Sequence, residues 1–176
     1  MACIRILLKQ KTNCWSFGTY FLPKGLDEET NTISYSKVVE YGKKSPQQNL
    51  FKLEHLFFPM NPWQWWSLEH GVHWREEKYI YYYDSLKRTE GQGSKYQQAI
   101  LNYLGKEYVG QYKKMMPIEK WGIVDTSFTE GPLQFDGDNC GAFVVLLVDA
   151  ICTLKIPPEI LFYHGDWKVT EEDMEK

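Results

Sequence analysis

No Cys-x-x-Cys pair occurs in this chain: the four cysteines stand singly at Cys3, Cys14, Cys140 and Cys152. That spacing excludes a zinc ribbon and a thioredoxin-type redox motif. A charged-then-apolar leader is also missing, so the cysteines read as reduced thiols of an intracellular protein, nuclear or cytoplasmic. No apolar run reaches the roughly 18 residues needed to cross a bilayer. The longest candidate, Ala142 to Leu154, is interrupted by Asp149 and stops at Lys155-Ile156-Pro157-Pro158. A preponderance of one charge is absent too, because 20 Lys+Arg against 23 Asp+Glu leave a net charge of −3. That balance argues against a nucleic-acid binder or a membrane-surface binder. Histidine is scarce, with His55, His70, His73 and His164 as the full set. His70 and His73 could share a metal only with a third ligand that the sequence does not place, so neither metal nor cofactor is expected. Repeats, low-complexity tracts and linkers are lacking, which leaves one domain over 1–176, expected to be monomeric. A chain of this length can bury about 70% of its unfolded surface and needs no staples.

What the chain does have is aromatic side chains, 16% of residues, and one stretch on which the reading turns. Pro132-Leu133-Gln134-Phe135-Asp136-Gly137-Asp138-Asn139-Cys140-Gly141-Ala142-Phe143 leads into the apolar run Val144 to Leu154. Asp138-Asn139 is a natural helix N-cap, and no proline follows it until Pro157, so Cys140 falls in a first helical turn. Free N–H groups and the positive end of the helix dipole favour thiolate there, the form in which cysteine is a nucleophile. A buried structural cysteine is the plain alternative. The helix Cys140 to Leu154 is apolar nearly all round, which predicts that it packs beneath a sheet.

Elsewhere, Ile4 to Lys11 is helix-forming and reads as the end of a helix whose start is absent. Cys14 to Phe21 is ambiguous between strand and helix, and Pro23 to Asn31 reads as a polar loop. Tyr35 to Lys43 has helical spacing and ends at Gly42. Leu56-Phe57-Phe58-Pro59 reads as a short buried strand closed by its proline. The alternation from Trp65 to Trp74, a turn at Arg75 to Lys78, and Tyr79 to Asp84 predict a β-hairpin. In that hairpin Asp84 lies beside the start of the first strand, near Trp65 and Ser67. Ser94-Lys95-Tyr96-Gln97 reads as a capping box that opens a helix ended by Gly105. Lys120 to Val124 reads as a strand.

The ordered series Cys14 to Phe21, Tyr35-Ser36-Lys37-Val38, Phe57 to Asn61, Trp66-Ser67-Leu68, Tyr82 to Leu86 and Gln134 through Cys140-Gly141 resembles the SUMO/sentrin-specific cysteine proteases of the adenain-like clan. The resemblance implies an α+β, papain-like fold, with a mixed central sheet packed against the cysteine-bearing helix and flanking helices around it. It also implies cleavage after the terminal Gly-Gly of a ubiquitin-like modifier. SUMO would be the first choice of modifier and NEDD8 the second, free or conjugated. Residue by residue, Cys140 matches the nucleophile, Gln134 the oxyanion donor, Asp84 the acid that orients the histidine, and Trp66 the tryptophan over the diglycine channel. Singly, each residue also admits a plain structural role.

Three departures accompany the resemblance. The family places its histidine where this chain has Trp65, and a tryptophan can neither accept nor deliver the proton. His73-Trp74 copies the dipeptide, but near the hairpin turn and so on the order of 10 Å or more from Asp84. His70 is nearer along the ladder with opposite parity, and a bulge would exchange the two. The opening helix is short relative to the family's start. Asn139 and Leu133 replace an aspartate and a glutamine. Two function classes follow: a cysteine isopeptidase using an unconventional histidine, and a pseudoprotease that keeps a modifier-binding face.

Overall fold

The strand His55–Met60 shows why this sequence makes a layered molecule. Leu56, Phe58 and Met60 join one hydrophobic cluster, while Phe57 between them joins another. Successive strand side chains leave on opposite faces, so a strand apolar from Leu56 to Met60 must be covered on both. In the computed structural model, which describes residues 2–9, 11–27, 29–60, 67–71, 78–85, 92–125, 140–153 and 155, that strand is second in a five-stranded sheet. The strands are β1 (Cys14–Ser16), β2 (Leu26–Asp27), β3 (Thr32–Ile33), β4 (His55–Met60), β5 (Ser67–Gly71), β6 (Lys78–Tyr83) and β7 (Trp121–Asp125). The large sheet runs β1-β4-β5-β6-β7, and β2 with β3 forms a small hairpin. β4, β5 and β6 are antiparallel neighbours, while β1 and β7 pair parallel at the edges. The sheet is mixed, and the fold is α+β, as expected.

The helices are α1 (Ala2–Leu8), α2 (Phe21–Gly25), α3 (Tyr35–Gly42), α4 (Gln92–Tyr112) and α5 (Cys140–Cys152). α4 covers one face with α2 and α3, burying Tyr96, Ala99, Ile100, Tyr103 and Leu104 against Ile80, Tyr82 and Phe58. α5 covers the other with α1, burying Val144, Leu147, Val148 and Ile151 against Phe57, Tyr81 and Tyr83. The all-round apolar character of Cys140 to Leu154 fits the predicted packing against a sheet, since α5 touches β4 and β5 and also α1.

Four expectations change in detail. The stretch read as a polar loop, Pro23 to Asn31, holds the end of α2 and all of β2 and leads into β3. Pro23 is tolerated because it is the third residue of α2, where an N–H has no intrahelical partner in any case. Gly25 lets α2 approach α3, since a Cβ there would sit 2.6 Å from Val38 Cγ1.

Pro59 does not close β4, which runs on to Met60 and pairs Pro59 with Leu68. The backbone groups of His55 and Phe57 face β1, with His55 N donating to Asn13 O at 3.2 Å and Phe57 O accepting from Phe17 N at 2.8 Å. By strand parity Pro59 faces the same side, past the end of β1, so its missing N–H breaks no ladder bond.

Gly105 does not end α4. The helix continues because Tyr108 packs edge-on to Phe51 at 5.0 Å and Tyr112 packs on Phe51 at 5.7 Å. It stops at Lys113, which is left-handed at φ 56 and donates its N–H to Val109 O at 2.9 Å. Ser94 lies inside this helix, so the capping-box reading fails at that position. Gln97 is fully buried and its Nε2 donates to Ile80 O at 2.9 Å and Val124 O at 2.8 Å, fastening α4 to both β6 and β7.

Candidate active site

Cys140 is the first residue of α5 and is buried, 3% exposed. The sheet-facing positions of the helix, Val144, Leu147, Val148 and Ile151, share a cluster with the strand residues Phe57, Tyr81 and Tyr83. At a helix start the backbone N–H groups of the first turn lack intrahelical partners, so the thiol stands among donors suited to a developing negative charge.

Asp84 directly follows β6 and is half-buried, with the buried Tyr83 before it and the buried Ser85 after it. Burial pushes the Tyr83 hydroxyl far above the ordinary tyrosine range, and the Asp84 charge adds to the effect. The register fixes what lies alongside. Leu68 pairs with Tyr83, so one further step along the antiparallel ladder sets Asp84 beside Ser67, which itself pairs with Met60 of β4. This is the strand alignment that the hairpin pattern predicts.

Two of the four histidines have described positions. His70 pairs with Tyr81 on one side and Phe57 on the other. It is three positions along the ladder from Asp84, roughly 10 Å at ~3.3 Å per residue. His55 opens β4 at the opposite end of that strand from Met60, paired with Cys14 and its ring 6.3 Å from that of Phe57. Gln134, Trp65, Trp66 and His73 lie outside the described residues, as does the Gln134 to Asn139 approach to the cysteine.

The C-terminal end of α5 lies at the β1 edge of the sheet. Its last residue, Cys152, has its sulfur 2.8 Å from that of Cys14, and Cys14 pairs with His55. Thirteen residues make a helix about 20 Å long at ~1.5 Å each, comparable to the six-residue strand β4 beneath it. The Cys14–Cys152 contact joins residues 138 positions apart, which single-residue context does not pair. The signal was available: Cys152 continues the Val144, Val148 spacing of the α5 face that meets the sheet. Among the described residues no helix is long and apolar enough to cross a membrane.

Comparison with known proteins agrees with this architecture. The profile of the Ulp1 protease family, C-terminal catalytic domain, matches residues 9–176. Among solved structures, the SUMO protease Ulp1 with its catalytic cysteine oxidised to a sulfinic acid is 23% identical, with a TM-score of 0.68 over 98% of this chain and 68% of that one. The Chaetomium thermophilum Ulp1-like SUMO protease catalytic domain is 14% identical, with a TM-score of 0.65 over 98% of this chain and 64% of that one. A structure described as the de-sumoylating protease is 16% identical with a TM-score of 0.65, and this chain covers 57% of its length. No curated protein matches the sequence. The match over residues 9–176 shows that the chain belongs to the Ulp1 protease family.

Proposed function

We propose that the chain is a cysteine-type isopeptidase domain that cleaves after the C-terminal Gly-Gly of a ubiquitin-like modifier, SUMO first and NEDD8 second. The observation that carries this reading is the position of Cys140 as the first residue of a helix buried against a mixed sheet. The Cys140 thiolate attacks the glycyl carbonyl, the Gln134 side-chain N–H and the Cys140 backbone N–H hold the oxyanion, and the amine leaves to give a thioester. Water then hydrolyses the thioester and frees the modifier. Asp84 orients and balances the protonated base, and Trp66 covers the channel through which the diglycine passes. The fastening of Cys152 at the His55 end of the sheet supports the grouping. A helix about as long as β4 is long enough to reach from there to the end where Met60, Ser67 and Asp84 align.

A second reading, a catalytically impaired domain that binds the modifier without turnover, has its own support. Trp65 occupies the family's histidine position, and His70 pairs three residues away from Asp84. His73 stays the candidate base under the first reading. Hydrolysis of SUMO carrying a C-terminal fluorogenic amide separates the two. Turnover by the native chain that disappears in His73→Ala and in Cys140→Ala establishes the enzyme with an unconventional base. Binding without turnover, together with a gain of hydrolysis of at least ~10²-fold in Trp65→His, establishes the impaired domain, that being the usual contribution of a general base. Neither turnover nor binding with SUMO, NEDD8 or ubiquitin overturns both readings.

A further inference from the structure

The described core holds a pair of nucleophilic groups for which the proposed hydrolysis has no use. Cys14 on β1 and Cys152 at the end of α5 are 138 positions apart in the chain, yet the Cys152 thiol donates to the Cys14 sulfur at 2.8 Å. The Cys14 thiol in turn donates to Asn13 Oδ1 at 3.4 Å. Both are buried, at 1% and 6% exposure, among Ile4, Leu8, Phe57 and Ile151. Burial of a thiol among apolar groups ordinarily makes it inert. Here a cavity of about 430 Å³ opens along the β1 edge and reaches Cys14, with Leu8, Lys11, Thr12, Trp15 and Tyr41 among its walls. A small polar oxidant in this cavity therefore stands beside one residue of the pair, with the other in contact behind it.

We propose that Cys14 and Cys152 form an oxidisable dithiol, which peroxide entering by this cavity converts to an intramolecular disulfide that staples β1 to the C-terminal end of α5. The order of events follows from access and charge. Cys14 lines the cavity, whereas the Cys152 thiol is pushed far above the ordinary thiol range, first by its hydrogen bond to Cys14 and then by burial, with Lys11 opposing the shift. Cys14 thiolate attacks one peroxide oxygen, the O–O bond breaks, and a sulfenic acid and water form. The Cys152 sulfur then displaces hydroxide from the sulfenic sulfur, forming the S–S bond and a second water. The two sulfurs lose two electrons, the peroxide oxygens gain them, and both thiol protons end in water. The link closes a loop that includes every strand of the sheet, so it restricts the unfolded chain strongly. It also anchors the helix that starts at Cys140 by its far end.

This proposal does not depend on the isopeptidase reading, and its test reads mass and stability, not turnover. The full chain is treated with hydrogen peroxide, denatured, alkylated and mapped by peptide mass spectrometry, with Cys140→Ala treated in parallel. The expected result in both proteins is a Cys14–Cys152 linked peptide and the loss of two alkylation sites. A Tm rise of roughly 5–10 °C that a reductant reverses should accompany it. Cys14→Ser and Cys152→Ser should each abolish the link and the Tm rise. If either variant fails to fold, the map of the native chain and Cys140→Ala decides. Full alkylation of Cys14 and Cys152 after a dose that oxidises Cys140, a link through Cys140 or Cys3 instead, or a link with no gain in Tm would each overturn the proposal.

Discussion

The two faces of the sheet differ in what fills them. On the α4 face aromatic rings interlock within a cluster that also holds many Leu, Ile and Met side chains: Phe17 stacks on Phe58 with centroids 4.3 Å apart, Phe21 lies 4.8 Å from Tyr103, and Tyr41 meets Phe21 at 5.7 Å. On the α5 face the helix and its cover contribute Val144, Leu147, Val148, Ile151, Ile4 and Leu8, with Cys14 and Cys152 among them. Large rings bury much area each and lock through edge and stacked contacts, so a ring lost from the first face removes several ring partners at once. On the second face aliphatic side chains of a helix meet the strand rings Phe57, Tyr81 and Tyr83, and that helix has the candidate nucleophile as its first residue and half of a dithiol as its last. The difference teaches a division of labour: one side of a strand such as β4 holds the sheet together, and the other side holds reactive sulfur in register with it.

Substitutions on each side test this division. Phe58→Ala removes a fully buried ring from the aromatic face and should cost about 3–5 kcal/mol, read as a lowered chemical-denaturation midpoint. Below its new Tm, Cys140 should keep its reactivity toward a modifier-derived probe. Leu147→Ala on the other face should cost about 3 kcal/mol and also slow that labelling, since it loosens α5 itself. Equal losses of labelling in the two variants would break the comparison. A smaller effect comes from Glu107, whose carboxyl accepts from Tyr103 Oη at 2.8 Å on the aromatic side. Burial holds its pKa above the ordinary 4.5, although the hydrogen bonds from Tyr103 and Tyr35 and the charge of Lys43 pull the other way. A folded-state pKa above the unfolded one means that stability is greatest at low pH and falls as pH rises through the folded value. Glu107→Gln keeps an acceptor for Tyr103 and should remove that decline, giving a higher Tm at neutral pH and no gain at pH 4.5 or below, followed by thermal melts across pH. Smallest is Gly105→Ala in α4. Its Cβ would meet nothing closer than Met116 Cε at 3.9 Å, so the variant should be more stable by about 0.5–1 kcal/mol.

The elements legible in the sequence were those whose pattern is periodic and whose partners are near. The hairpin register that sets Asp84 beside Ser67 follows from alternation alone, and α5 follows from a capped apolar run. Illegible features were those decided at long range. Gly105 looks like a helix end until Tyr108 and Tyr112 find Phe51, and Pro59 looks like a strand end until β1 is seen to stop short of it. Gln97 reads as part of a cap, although its amide is needed between two strands that meet only in the fold. In the candidate site, the place of Cys140 at a helix start was readable from Asp138-Asn139 and the run behind it. The Cys14–Cys152 contact required knowing that β1 and the end of α5 come together.

The central claim is that Cys140 is a nucleophile aimed at a diglycine terminus. Incubating the full chain with SUMO bearing a C-terminal propargyl amide, followed by intact mass measurement, tests it most directly. The account predicts one covalent adduct, mapped to Cys140 and absent in Cys140→Ala. An unmodified protein after exposure to SUMO, NEDD8 and ubiquitin forms of the probe, or an adduct on Cys14 or Cys152 instead, would contradict it.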